Sequence, residues 1–454
     1  MIWILPPPLK KIAFTFVAKA LGNTMRFWPL TLVFLSPLLS LQISSQTVSV
    51  ATPDTHAAAA SEELRYVVYV SRHGIRSPTG KSVQYNLYSK STWPEWPVQP
   101  GYLTPHGFHV MEQFGRYDRL NLEQRGLLSA NGCADTAKLT FYADSDERTR
   151  ETAKALAKGL MPGCDVPVRS LPEGTNDPLF HPLPNPEDKD LTARAKAAIA
   201  GRIGGSPAKV SLAYHDQIAM LDHILATCGN APSRDAKRTS LFDIPSSLSE
   251  GTGDHLAEMK GPINTASTLS ENLLLEYTEG IDSANVGWGC VQRSEIEALM
   301  AIHTAATDFT QRTPEIAKVQ AAPLLRQIDL SLEQAANQTV LTGALGKPTD
   351  RVLFLVGHDT NLENIAGSLN LTWIIDGRRD DTPPGSALIF ELWRNTTSGS
   401  YRVLTFFTAQ TLEQMRTSSY LSLTNPPDRV ALFIPGCSTA DMSCTLSSFL
   451  RLGQ

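Results

Sequence analysis

The chain has 454 residues, 42% of them hydrophobic and 19% charged, with 30 Gly, 30 Pro, 6 Cys and a formal net charge of −5. This length calls for one large or two ordinary domains, and the composition excludes a wholly disordered or a collagen-like chain. The acidic balance excludes a general nucleic-acid binder, although a few arginines can still build a local pocket for an anion.

The first 46 residues carry Lys10, Lys11, Lys19 and Arg26 and no acidic residue. Phe27–Leu41, about fifteen mostly apolar residues behind Arg26, has the layout of a secretory signal peptide, and Met25 offers a second start directly before it. Pro29 and Pro37 lie inside the run, which falls short of the roughly 20 residues a spanning helix needs, so an uncleaved anchor is the weaker reading. Cleavage fits after Ser45 or after Ala51. We read 1–46 as signal peptide and 47–62 as a flexible leader, and expect a periplasmic or secreted mature protein without a membrane span. Removing the four positive charges takes the formal net charge from −5 to −9.

Apolar, β-branched runs predict buried strands at Tyr66–Val70, Leu139–Ala143, Arg351–Val356, Ala387–Trp393 and Arg402–Phe407. Helical spacing covers Gly107–Leu120 and Glu147–Leu160. From about His181 to Val340 no strand is expected. Helical stretches such as Ala208–Thr227, Thr268–Tyr277 and Arg293–Phe309 alternate there with Gly/Pro/Ser-rich breaks. The expected fold is α/β, a central mixed, mostly parallel sheet flanked by helices, with an inserted all-helical domain. Residues 63–180 and 341–454 would form the α/β domain, and 181–340 the helical insert.

All six cysteines, Cys133, Cys164, Cys228, Cys290, Cys437 and Cys444, follow the leader, and an even set in an oxidising compartment favours disulfides. Fifteen pairings are open, with Cys437–Cys444 a plausible local pair. No CxxC occurs, which leaves zinc ribbons and thioredoxin-type motifs without support.

The chemistry begins where the first strand ends, at Ser71-Arg72-His73-Gly74-Ile75-Arg76. Active sites of open α/β sheets lie at the carboxyl ends of strands. Guanidinium groups bind phosphate oxygens and stay protonated, and two of them beside an imidazole lower its pKa, leaving a lone pair free to attack phosphorus. The second strand ends in Asp144-Ser145-Asp146-Glu147-Arg148-Thr149-Arg150. Its acidic residues could do no more than complement a helix dipole, but Arg148 stands at a strand end and helix start suited to an anion. Arg150 reads as solvated or structural. The third strand ends in Gly357-His358-Asp359-Thr360-Asn361, where Asp359 suits a general acid and His358 a donor to phosphate oxygen. His358 and Asp359 could also merely cap the next helix. His215-Asp216 repeats the His-Asp pair within a helical pattern. His106 with His109, and His215 with His223, lack a third ligand, so no metal or cofactor is expected.

Taken together, RHGxRxP at Arg72–Pro78 and the His358-Asp359 pair resemble the histidine acid phosphatases, branch two of the histidine phosphatase superfamily. Thr92–Gly107, Ala143–Leu160, Asp177–Leu183, Gly357–Gly367 and Asp381–Trp393 are similar to the bacterial periplasmic phytase and glucose-1-phosphatase group. The likeness runs from about Glu63 to Cys444 and is loosest in the helical insert.

The resemblance implies metal-free, two-step hydrolysis of a small-molecule phosphate ester. His73 would be the nucleophile and Asp359 the proton donor and later the base. Arg72, Arg76, Thr79, Arg148 and His358 would hold the phosphate. In phytases a lysine commonly follows the threonine directly; here Gly80 intervenes before Lys81. The family's disulfides suggest Cys133–Cys164 and Cys437–Cys444, leaving Cys228–Cys290, which departs from the expected pairing. The HDTN form at His358–Asn361 favours a phytase, with a glucose-1-phosphatase or broad sugar phosphatase as the alternative. An acidic optimum and a monomer are expected. An exported phosphate-binding protein would use the same arginines without needing His73 or Asp359. A phosphomutase would return the phosphate to a second substrate, and the signal segment argues against it.

Overall fold

The strand Glu62–Arg72 is covered on both faces, which is why its sequence reads as an unbroken apolar run. Tyr66, Val68 and Val70 share one core with Leu324, Ile328, Leu362 and Ile365 of the helices Pro314–Asn337 and Asp359–Leu369. Val67 and Tyr69 point to the other face. They share a core with Met111, Phe114, Leu156 and Leu160 of the helices Pro105–Gln124 and Glu147–Leu160.

The computed structural model describes residues 62–129, 132–229 and 238–452, so the signal and leader expectations on 1–61 lie outside the described residues. In chain order the strands are β1 (Glu62–Arg72), β2 (Leu139–Ala143), β3 (Val168–Arg169), β4 (Ser247–Glu250), β5 (Ala257–Lys260) and β6 (Val352–Gly357). There follow β7 (Ile374–Ile375), β8 (Arg378–Arg379), β9 (Ala387–Asn395), β10 (Tyr401–Ala409), β11 (Asp428–Leu432) and β12 (Ser443–Thr445). Eight of them make one sheet in the order β11-β10-β9-β1-β6-β2-β3, with β12 beside β10. β1, β6, β2 and β3 are mutually parallel, and β10 runs their way because β9 is antiparallel to both β1 and β10. The sheet is therefore mixed and mostly parallel in strand direction.

Register places the chemistry. Arg72 of β1 is paired with Gly357 of β6, and Ala143 of β2 with Val356 of β6. The next residue of each strand, His73, His358 and Asp144, consequently emerges at the same edge. His73 N–H donates to Gly357 O at 2.9 Å and Asp144 N–H to Val356 O at 2.9 Å, which carries the pairing one step past the strand ends.

A separate core joins the helices Leu191–Arg202, Pro207–Ala213, His215–Thr227, Pro262–Thr278 and Arg293–Thr310. The expected helix Ala208–Thr227 is broken at Tyr214, whose φ/ψ of −103°/23° leaves the helical region. This region also contains the β4–β5 hairpin, and a search for buried apolar runs passes over it because its residues are mostly exposed. The helix Pro314–Asn337 carries Pro323 in its interior, a residue that reads in sequence as a helix breaker, and it packs on the sheet. Cys133–Cys164, Cys228–Cys290 and Cys437–Cys444 are all disulfide-bonded. Among the described residues no helix is long and apolar enough to cross a membrane.

Candidate active site

His73 lies at the floor of a pocket that is also lined by Arg76, Arg148, His181, Asp254, His358 and Asp359. Its loop turns sharply after β1. Gly74 N–H donates to Thr152 Oγ1 at 2.9 Å, and the helix Pro105–Gln124 comes so close that a Cβ on Gly107 would lie 2.1 Å from Ile75 O. His73 Nδ1 is 2.8 Å from Gly74 O. A carbonyl oxygen only accepts, so Nδ1 carries the hydrogen and the lone pair is on Nε2. Burial, followed by the positive charges of Arg148, Arg72 and Arg76, holds the imidazole well below its ordinary pKa. His73 is thus a neutral, buried imidazole with a free lone pair.

Arg72 is fully buried. Its guanidinium donates to Thr382 O and to Glu271, and Nη2 lies 3.2 Å from Asp359 Oδ2. Arg76 Nη2 is 3.2 Å from both Glu271 oxygens. Burial pushes the Asp359 carboxyl up, but Arg72, His303 and Arg76 outweigh it and hold the group well below the usual carboxylate range. Asp359 is therefore ionised. Glu271, from the helix Pro262–Thr278, is likewise held down by Arg76 and Arg72 against its burial.

Arg148 opens the helix after β2. Its Nη2 lies 2.5 Å from Asp146 Oδ2 and 3.4 Å from His358 Nδ1. His358 Nε2 lies 2.7 Å from Asp144 Oδ2, and the His73 and His358 rings meet edge-on at 5.6 Å between centroids. His358 does precede the helix Asp359–Leu369, and its backbone N–H donates to Asn361 Oδ1 at 2.9 Å, but its ring faces the pocket. Thr79 is exposed and is not among the residues lining the pocket; it and Arg148 flank Gly101, within 3.7 and 3.6 Å of where a Cβ there would stand. Lys81 is exposed and lines a neighbouring depression with Ser77 and Pro78. Arg150 pairs with Glu173 at 3.2 Å, at the surface.

Several residues of the site escape sequence reasoning. Asp144 is buried and is held ionised by hydrogen bonds from His181 and His358, a far more specific role than complementing a helix dipole. Its position directly after a buried strand is the available signal. Glu271 is one of two glutamates, with Glu276, in a helix that is buried along most of its length, a pattern that requires buried partners without naming them. His303 and His181 give no signal of their own. Among the described residues two compact groups of potential metal ligands occur, Asp144–His181–His358 and Glu271–His303–Asp359, and neither contains His106, His109, His215 or His223. His215 and His223 are exposed. His106 Nε2 is instead within 3.0 Å of the carbonyl oxygens of Thr278 and Met415, and His109 Nε2 is 3.3 Å from Gln113.

Residues 63–200 and 264–407 match the histidine phosphatase superfamily (branch 2). The chain is 36% identical over 429 residues to phytase AppA of Escherichia coli, covering 92% of this chain and 96% of that protein. It is 26% identical to the glucose-1-phosphatase of Salmonella typhimurium, over 91% of this chain and 94% of that one. The solved phytase of Citrobacter braakii superposes with a TM-score of 0.76 at 36% identity, covering 86% of this chain and 97% of the other.

Proposed function

Because the chain belongs to branch 2 of the histidine phosphatase superfamily, we propose that it is an exported acid phosphatase acting through a phosphohistidine on His73, with phytate as its preferred substrate. The observation that carries the reading is the state of His73: Nδ1 is bonded to Gly74 O and Nε2 is unprotonated in a cationic pocket. A phosphate-binding protein has no use for such a lone pair. Asp254 and His255 line the pocket and Glu271 bonds to Arg72, so residues from the segment between β3 and β6 complete the site.

In the first step the His73 Nε2 lone pair attacks phosphorus, an N–P bond forms and the ester P–O bond breaks. Arg72, Arg76 and Arg148 offset the charge on the phosphoryl oxygens. The leaving oxygen needs a proton. Asp359 is ionised, so the proton enters with the ester: a monoanionic ester beside the Asp359 carboxylate holds the same single proton as a dianion beside the carboxylic acid. Acid conditions supply that monoanion, which accounts for an acidic optimum. In the second step Asp359, again a carboxylate, takes a proton from water as the water oxygen attacks phosphorus; the N–P bond breaks, His73 Nε2 regains its lone pair and inorganic phosphate leaves.

Phytate is favoured over a sugar monophosphate by the greater identity to the phytase than to the glucose-1-phosphatase. The test is phosphate release at acid pH from phytate, glucose 1-phosphate and p-nitrophenyl phosphate by wild type, His73→Ala and Asp359→Asn. Turnover should fall by at least ~10³ in His73→Ala. Undiminished turnover in that variant removes the mechanism, and a preference for glucose 1-phosphate removes the phytase assignment.

A further inference from the structure

His181 stands on the pocket wall with a carboxylate against each ring nitrogen. Nε2 is 3.2 Å from Asp144 Oδ2, and Nδ1 is 3.0 Å from Asp254 Oδ2 in the turn between β4 and β5. A neutral imidazole has one N–H, so only the imidazolium can donate to both. Asp144 Oδ2 also takes the hydrogen bond from His358 Nε2 at 2.7 Å, while Asp144 Oδ1 is buried with no hydrogen-bond partner among the described residues. A single carboxylate oxygen therefore serves two imidazoles, and the 5.1 Å between their ring centroids brings two potential cations together. With Nε2 committed to Asp144, His358 can donate to a phosphate oxygen only through Nδ1, and only when doubly protonated.

We propose that His181 is a positioning residue whose positive charge, held between Asp144 and Asp254, sets the pH at which His358 becomes a doubly protonated phosphate donor. The proposal rests on the phosphatase reading above and adds a residue to it. The groups facing His358 are Asp144, Asp146 at 3.8 Å, Asp359, Arg148, His73 and His181. Those facing His181 are Asp144, Asp254 and His358, with His255 at 3.9 Å from Asp254. Asp144 and Asp146 favour the second proton on His358; Arg148 and His181 oppose it. Hydrogen bonds to Asp144 and Asp254 raise the pKa of His181, while burial lowers that of His358. Removing the charge at 181 takes away one of the two cations that oppose the second proton, and His358 then keeps it to higher pH. Asp254 is itself anchored, its carbonyl accepting from Gln320 Nε2 at 2.6 Å, so the charge on His181 is held by elements on both sides of the pocket.

The experiment is the pH profile of kcat/KM with p-nitrophenyl phosphate for wild type, His181→Asn and Asp254→Asn. The amide of His181→Asn keeps a donor for Asp144 without the charge. Its alkaline limb should move up by about 0.5–1 pH unit, whatever the accompanying change in kcat. Asp254→Asn, which keeps the ring and weakens its hold on the proton, should shift the limb the same way by less. This second variant decides the matter if the first does not fold. A limb that stays in place while kcat falls uniformly assigns His181 a purely structural role and overturns the proposal. NMR titration of His358 in histidine-labelled wild type and His181→Asn reads the same shift without turnover. It separates failure of this proposal from failure of the phosphatase reading.

Discussion

The His73 backbone N–H donates to the carbonyl oxygen of Gly357 at 2.9 Å, so the loop bearing the proposed nucleophile and the loop bearing His358 and Asp359 are joined at the backbone. They are 285 residues apart in the chain and adjacent in the sheet. The relative placement of nucleophile and proton donor is thus a property of the parallel β1–β6 register. Side-chain changes in this loop should leave the placement intact, whereas changes that move the loop itself should not.

Gly107→Ala tests the second half of that statement. A Cβ there would meet Ile75 O at 2.1 Å, and backbone on each side leaves no flexible group to yield. The loop or the helix Pro105–Gln124 must shift, at a cost of about 1–3 kcal/mol. Thermal melting should show the loss of stability, and kcat should fall with it although position 107 touches no substrate.

Arg72→Lys tests the first half. The guanidinium is fully buried and reaches Thr382 O, Glu271 and Asp359 from one planar fork. A lysine keeps the charge and loses that geometry. The fold should be retained, judged by circular dichroism, while kcat/KM falls by about 10²–10³.

This division also explains what was legible in the sequence. β1, β2 and β6 are covered on both faces, so their apolar runs and the sudden titratable residues after them stand out, and Arg72, His73, Arg148, His358 and Asp359 can be read directly. Glu271 meets Arg72 across 199 residues and His181 meets Asp144 across 37, contacts that no local pattern encodes. The same holds for Cys228–Cys290. The hairpin that carries Asp254 has too little buried surface to leave an alternating pattern, and Pro323 masks the helix Pro314–Asn337.

Cys228–Cys290 closes a sequence separation of 62 residues within the helical region. Loop-closure entropy gives such a crosslink about 4 kcal/mol. Replacing both cysteines with alanine should lower the thermal midpoint markedly. Activity at 25 °C should change little, because neither residue lines the pocket.

Stability should be greater in mild acid than at neutral pH. Burial pushes Asp118 and Glu276 up to about 7, against a hydrogen bond from Tyr69 to the first and from Gly287 N–H to the second. Between their unfolded values and about 7 the folded state binds more protons than the unfolded one, so stability rises as pH falls through that window and is complete below it. Asp144 and Asp359 act in the opposite sense. Their folded pKa values are depressed, and the stability they contribute is present above the ordinary carboxylate range and lost only as pH falls below it. The thermal midpoint at pH 5 should exceed that at pH 8 by about 3–5 °C. Asp118→Asn should flatten the difference.

Glu271 occupies the side of Arg72 and Arg76 that an anion would also seek. Its carboxylate accepts from both guanidinium groups, and Asp359 takes a further contact from Arg72. A phosphate entering here meets arginines whose charge is already partly matched, and it must approach two carboxylates. Those carboxylates oppose the dianion more than the monoanion, which again favours substrate binding in acid. Glu271→Gln removes one negative charge and keeps an oxygen able to accept from Arg72. Competitive inhibition by inorganic phosphate should therefore strengthen, the Ki falling about 3–10-fold, with the larger effect at higher pH where the dianion predominates. If the main work of Glu271 is to hold the arginines in place, the Ki rises instead and kcat falls at every pH. Measuring Ki at pH 5 and pH 8 in both proteins separates the two outcomes, because inorganic phosphate passes from monoanion to dianion between them and only charge repulsion depends on that ionisation.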